Sequence, residues 1–266
     1  MKTSRNPVAV FSGGFAIGTL GGLIGLGGAE FRLPLLIGVF GFAALPAIIL
    51  NKAMSLVVVA ASIPFRASAV PFSSVIDRWD VIVTLLAGSL IGAWVGAGWA
   101  TRIESKLLYK ILAGLLVLIA AALFWGHDLN STHTFSLDGY ILVGVGVAVG
   151  FFIGVVASVM GVAGGELLIP AIILLFGVDI KLAGSLSLAI SLPTMIIGFA
   201  RYSQDQSFKI IAEQSRFIFI MALGSVAGAL IGGMLLMEVP SSLILPLLSV
   251  ILLISANKVW RHSYAT

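Results

Sequence analysis

Apolar runs of about twenty residues recur along nearly the whole chain, separated by short polar or glycine-rich stretches. They cover about 8–26, 44–64, 80–100 and 106–125, and then 140–160, 180–200, 214–236 and 242–259. A helix needs about 20 apolar residues to cross a hydrocarbon core of about 30 Å, so this pattern predicts eight full transmembrane helices. After the first run of each set comes a shorter apolar piece, 31–41 and 167–177, introduced by clustered glycines. Eleven residues of helix rise only about 16 Å, so these pieces are expected to be two short, broken half-helices. The predicted fold class is an all-α integral membrane protein. The segment from Met1 to Leu26 has the basic start and apolar run of a signal peptide. It lacks a small-x-small cleavage site and recurs later in the chain, so it is read as the first span.

The two sets of runs are copies of one another. Sliding the chain on itself by 136 positions, the separation of Glu30 and Glu166, superposes Gly14 on Gly150, Gly28 on Gly164, Pro34 on Pro170, Ser55 on Ser191 and Gly88 on Gly224. Chance would align apolar residues but not glycine, glutamate, proline and serine in one register. The chain therefore divides into a first repeat, 1–126, and a second, 137–266, joined by a polar linker, 127–136, within one integrated membrane domain. If each short piece carries the chain across, a half has five crossings and the second copy is inverted. With the N-terminus inside, Lys2, Arg5, Arg102, Lys106, Lys110, Arg201, Lys209, Arg216, Lys258 and Arg261 all fall inside, and the linker, which has no lysine or arginine, falls outside. Four crossings would place the Arg102–Lys110 cluster outside, against the positive-inside rule. The expectation is an inverted repeat, as in many secondary transporters, in the inner membrane with both termini cytoplasmic.

Composition narrows the function classes. Hydrophobic residues make up 59% and charged residues 10% of 266 positions, and the mean hydropathy is +1.15, which excludes a separate soluble domain of any size. The net charge of +4 resides in loops beside the spans, where it orients the protein in the bilayer; nucleic acid is not an expected partner. With no cysteine, and with His127, His133 and His262 in polar segments, no metal site, catalytic residue or cofactor is expected. No Walker A sequence is present, so ATP-driven transport by this chain is not expected either.

The chemistry is concentrated at the glycine-rich breaks, Gly25 to Pro34 and Gly161 to Pro170. Clustered glycines permit tight turns and close backbone approach, and a proline soon after suits the first turn of a new helix. A helix beginning there presents free N–H groups and a positive dipole end to an anion. Irregular backbone at membrane depth is tolerated only where protein or a wet cavity adjoins it. Gly27, Gly28, Gly164 and Gly165 are therefore candidate binding residues. By contrast Gly88, Gly92 and Gly96, with their copies Gly224, Gly228 and Gly232, have the spacing of close helix packing.

This twice-repeated glycine stretch, followed by proline and an apolar run at the start of each half, resembles the TauE/SafE family of sulfite exporters, also called the 4-toluene sulfonate uptake permeases. The resemblance covers nearly the whole chain. It implies integral membrane carriers for small anions, chiefly sulfite and organosulfur compounds such as sulfonates. The chain departs from the family's common triple-glycine core, reading Gly27-Gly28-Ala29 in one copy and Ala163-Gly164-Gly165 in the other, each followed by a glutamate.

Ionisable residues within spans are costly and are functional candidates by default. Arg32 and Lys52 are assigned to anion attraction and Glu30 and Glu166 to proton exchange; the alternative is that such opposite charges, Glu30 with Lys52 for example, form buried ion pairs that hold the fold. Arg32 and Lys52 correspond to Leu168 and Leu188 in the second copy, so only the first half carries the cations. Asn51, Ser55, Ser187 and Ser191 are candidate donors to the anion's oxygens, and Arg66 and Arg201, near the ends of corresponding spans, are candidate funnels at the two membrane faces. The function expected is a secondary carrier for a small sulfur-containing anion, with the lipid bilayer and protons as its further partners. The alternatives are an anion channel, or a membrane scaffold or assembly factor that transports nothing.

Overall fold

The computed structural model describes residues 6–24, 28–67, 70–125 and 139–235, with isolated positions between 250 and 261. All regular structure among them is helical: α1 (Pro7–Ile24), α2 (Ala29–Gly38), α3 (Ala44–Ala67), α4 (Phe72–Ile76), α5 (Trp79–Ala100), α6 (Ser105–Trp125), α7 (Gly139–Met160), α8 (Gly165–Phe176), α9 (Ile180–Tyr202), a 3-10 turn (Gln206–Lys209), α10 (Ile210–Glu213) and α11 (Ser215–Leu235). Five stretches are long and apolar enough to cross a membrane: Ala44–Ile63, Trp79–Ala100, Gly139–Met160, Lys181–Tyr202 and Ser215–Gly232. The apolar stretch Pro7–Gly22 of α1 is shorter. The linker 127–136 and most of the expected last span, 242–259, lie outside the described residues.

The halves interlock. α1 packs on α11, and α5 packs on α7, more extensively than any other pairs. Both seams are lined by glycine: a Cβ on Gly14 would strike the carbonyl of Met221, and one on Gly18 that of Ser225. The same holds for Gly150 against Leu85 and Gly154 against Ser89, which are the same contacts moved by the repeat offset with the halves exchanged. Residue numbers rise together along each seam, so α1 runs parallel to α11 and α5 parallel to α7. Backbones this close gain dispersion contact that larger side chains would prevent. The small-residue spacing read as packing in the sequence does serve packing.

Within this frame α3 and α9 are central, each with 61% of its apolar window buried against 33% for α7. Lys52 of α3 lies against Gly198 of α9, whereas Leu56, Val59 and Ile63, further along α3, cluster with Leu188, Leu192 and Met195, earlier in α9. α3 and α9 therefore run in opposite senses. Each short helix doubles back along the span before it. Gly28 lies against Ile17 and Leu35 against Gly13; Gly164 lies against Ala157 and Phe176 against Gly146.

Two expectations need correction. The short helices begin earlier than expected, directly after Gly28 and Gly164, so Pro34 and Pro170 sit inside them and not in the first turn. The left-handed glycine sets the start. Each proline then leaves the carbonyl four residues earlier, that of Glu30 or Glu166, without its usual intrahelical donor. The loops after α3 and α9 also carry short helices that the pattern did not predict, because four or five residues are too few to show a period. α4 and the segment Gln206–Glu213 stand at equivalent places in the repeat, and α4 leaves Phe72 and Ile76 exposed.

The matched seams predict matched costs. Gly18→Val and Gly154→Val should each lower stability by about 2 kcal/mol or more through overpacking, with similar shifts in thermal unfolding in detergent. Gly114, inside α6 with open space around its Cβ position, is the control. Gly114→Ala should stabilise by up to about 1 kcal/mol.

Candidate functional site

Both breaks turn on a glycine in the left-handed region, Gly28 at φ 69° and Gly164 at φ 81°, preceding a helix with no side-chain cap. Both glycines are buried, so the first N–H groups of α2 and α8 open into the protein interior and not into water. Gly165, buried, is the first residue of α8. The breaks converge on α3: Gly161, another left-handed glycine, meets the carbonyl of Ile48, and Asn51 touches both breaks at once.

At the first break, Arg32 is fully buried. Its Nη1 donates to Asn51 Oδ1 at 3.3 Å and to Ser55 Oγ at 3.1 Å. Glu30, also fully buried, lies near enough for its charge to act on the guanidinium. Asn51 Nδ2 donates to the carbonyl of Ala29 at 2.9 Å and to that of Met160 at 3.2 Å, joining the start of α2 to the end of α7. Every polar contact of Asn51 is thereby used within the framework of the two breaks.

At the second break α7 ends in a turn in which Val162 N donates to Ala157 O at 2.9 Å and Gly161 N to Ser158 O at 3.1 Å, and side chains add further donors to the last carbonyls. Asn51 supplies one to Met160, and Tyr202 Oη donates to Ser158 O at 2.8 Å. Lys52 Nζ reaches Ala157 O at 3.4 Å and Ser158 Oγ at 3.3 Å. Lys52 is fully buried and makes no ion pair with Glu30, the partner named for it in the buried-pair alternative, or with any other acid whose side chain is described. A cation at a helix C-terminus is electrostatically favourable, yet the adjacent carbonyls are satisfied by neutral groups. The helix dipole favours a cation here, but no acid among the described side chains balances it.

The remaining candidates are dispersed. Ser187 Oγ donates to Gly184 O within its own helix at 2.8 Å. Ser191 is buried, and its Oγ has no hydrogen-bond partner among the described residues, because Leu168 stands where Arg32 serves Ser55 in the first copy. Ser89 and Ser225 differ in the same way: Ser89 Oγ meets Thr194 Oγ1 at 2.8 Å, while Val58 occupies the matching place opposite Ser225, whose Oγ has no partner among the described residues. Arg201 stacks over Trp94 with 5.5 Å to the ring centroid and donates to Gln204 Oε1 at 3.0 Å; it braces α9 on α5. Gly27 and the side chains of Arg66 and Glu166 lie outside the described residues. A cavity of about 270 Å³ opens elsewhere, between the starts of α1 and α11 beside Glu213 and Arg216.

Sequence reasoning missed Ser158, Gly198 and Tyr202. A Cβ on Gly198 would fall 2.6 Å from Ser158 Oγ and 3.0 Å from Lys52 Nζ, so glycine is what lets α9 approach this cluster. The available signal was departure from the repeat, since these three positions correspond to Gly22, Ser62 and Arg66.

Long apolar helices around two paired breaks, with charged side chains held deep inside, define a multi-pass membrane protein. Residues 9–259 match the family described as "Sulfite exporter TauE/SafE", and the chain belongs to that family of transmembrane transporters. It is also 26% identical over 242 residues, 84% of both chains, to "Probable membrane transporter protein YunE" of Bacillus subtilis (strain 168). No solved structure matches the chain.

The bonding asymmetry predicts unequal costs for polar substitutions. Asn51→Ala, which strips donors from two carbonyls, should cost about 3 kcal/mol in thermal unfolding, and Ser89→Ala about 1 kcal/mol. Ser225→Ala, which removes a buried hydroxyl with no bond to lose, should be neutral or slightly stabilising.

Proposed function

We propose that this transporter is a secondary carrier for a small sulfur-containing anion, sulfite or an organosulfonate, which engages at the second break beside Lys52. The observation that carries this reading is a fully buried ammonium, without an acidic partner among the described residues, performing a capping task that neutral groups perform beside it. Holding that charge in an apolar interior costs several kcal/mol, and an anionic solute offsets the cost whenever it is bound. The uncapped start of α8 at Gly164 and Gly165 and the hydroxyl of Ser191 add donors suited to an oxyanion. Arg32, engaged by Asn51, Ser55 and Glu30, takes a framework role in place of the anion contact expected for it. Glu30 and Glu166 are the groups proposed to exchange protons.

The proposed architecture is eight full spans and two half-helices arranged as an inverted repeat in the inner membrane, with both termini cytoplasmic. Support comes from the opposite senses of α3 and α9, which are repeat equivalents, and from the return of the chain along α2 and α8. Rocking of the interlocked halves would expose the site to each side in turn. Full burial of Lys52 favours such a carrier over an open channel, in which the ammonium would be wetted.

Uptake of labelled sulfite and a panel of sulfonates into proteoliposomes, with and without a pH gradient, tests the reading. Wild type should show saturable flux that responds to the gradient. Lys52→Ala should lower flux at least about tenfold, the effect of losing one charge-assisted contact, and Glu30→Gln should blunt the response to pH. Unchanged flux of every accepted anion in Lys52→Ala would overturn the site.

The absence of native cysteine makes the topology directly measurable. Ser73→Cys in α4 and Glu213→Cys in α10 should react with an impermeant maleimide from opposite faces, Ser73→Cys from outside. Labelling of both from one face would mean that the halves are parallel.

A further inference from the structure

Resting on the proposal that Lys52 receives the anion, we infer that Ser158 is a second binding residue of the same site, its hydroxyl and the Lys52 ammonium forming a donor pair for one oxyanion. Ser158 is fully buried. Its Oγ accepts from Lys52 Nζ at 3.3 Å. A serine within a helix ordinarily turns its hydroxyl back to the carbonyl four residues earlier, as Ser62 does to Val58 and Thr194 to Ile190. Ser158 makes no such bond among the described residues. A hydroxyl carries one proton and two acceptor sites, so while it accepts from Lys52 it keeps an O–H to give. The ammonium has three N–H groups, of which Ala157 O and Ser158 Oγ engage two. One remaining donor on each of two adjacent groups suits two oxygens of a tetrahedral or pyramidal oxyanion.

The surroundings hold this pair in place. Tyr202 Oη fixes the backbone of Ser158 through its carbonyl at 2.8 Å. Gly198 faces the pair from α9, where any side chain would meet Ser158 Oγ at 2.6 Å. The first half has Gly22 at the position of Ser158 and Leu188 lies at the copy of Lys52, so this donor pair is formed once, at the second break only.

Transport kinetics in proteoliposomes test the assignment, with labelled sulfite and a sulfonate as probes and four variants: Ser158→Ala, Lys52→Met, the double variant, and Tyr202→Phe. Ser158→Ala should raise KM roughly tenfold, the lower end for a hydrogen bond to a charged group, with the maximal rate little changed. The double variant should be no worse than Lys52→Met alone, because both groups serve one bound anion and their effects are not additive. Should Lys52→Met not fold, Tyr202→Phe, which leaves both donors present and loosens only the Ser158 backbone, should raise KM by a smaller factor and leave the maximal rate intact. A Ser158→Ala protein with unaltered KM, or one that loses maximal rate and thermal stability together, overturns the inference while leaving the Lys52 reading in place. Unaltered transport in Lys52→Met instead overturns the reading beneath it.

Discussion

Inside a bilayer each backbone N–H and C=O must find a partner within the protein, and this chain breaks two of its helices where water cannot help. α7 ends at Met160 with its last carbonyls facing inward, and α2 and α8 begin from buried left-handed glycines with no side chain over their first N–H groups. The rest of the site follows from how those groups are satisfied. α3 supplies two consecutive residues, Asn51 and Lys52, that donate to α7, and α9 supplies Tyr202. A helix from the first half therefore finishes a helix of the second.

That dependence explains the interlocking. The second half supplies part of its own capping, through the Gly161 and Val162 N–H groups and Tyr202, but Asn51 and Lys52 come to it from the first half. The glycine seams of α1 with α11 and α5 with α7 bring backbones within van der Waals reach and fix α3 against the end of α7. Each seam joins one helix of each half. Motion of one half against the other would then act on the contacts of α3 with α7 and α9, where Lys52, Ser158 and Gly198 meet.

Much of this was legible in the sequence, for identifiable reasons. Apolar length marks the long helices, and those described, together with α2 and α8, begin and end within about three residues of the expected runs. The repeat was legible because glycine, glutamate and proline recur in register, and the breaks because glycines cluster there. Asn51, Lys52 and Arg32 stood out as polar groups in apolar runs. What was not legible is that Lys52 serves the second break, since that depends on how α3 crosses α7, a tertiary relation that no period encodes. Ser158 and Gly198 were hidden for another reason: serine and glycine are ordinary in membrane helices. Proline reads as the punctuation of α2 in the sequence, whereas left-handed Gly28 supplies it.

Duplication gave the molecule two similar breaks, and substitution has made them different. At the first, the charges of Arg32 and Glu30 oppose one another, and Asn51 and Ser55 occupy the guanidinium, so the arrangement is electrically self-contained. At the second, leucine replaces arginine, serine replaces glycine, and a lysine arrives from the other half. Ser191 and Ser225 keep hydroxyls whose copies Ser55 and Ser89 are bonded, while Leu168 and Val58 stand where Arg32 and Thr194 serve those copies. A symmetric pair of anion sites would bring two like charges into one closed interior, where their repulsion is weakly screened. Under the proposed function, a single cation at one break would be neutralised by a single anion, while the other break would serve as the support against which α3 is held.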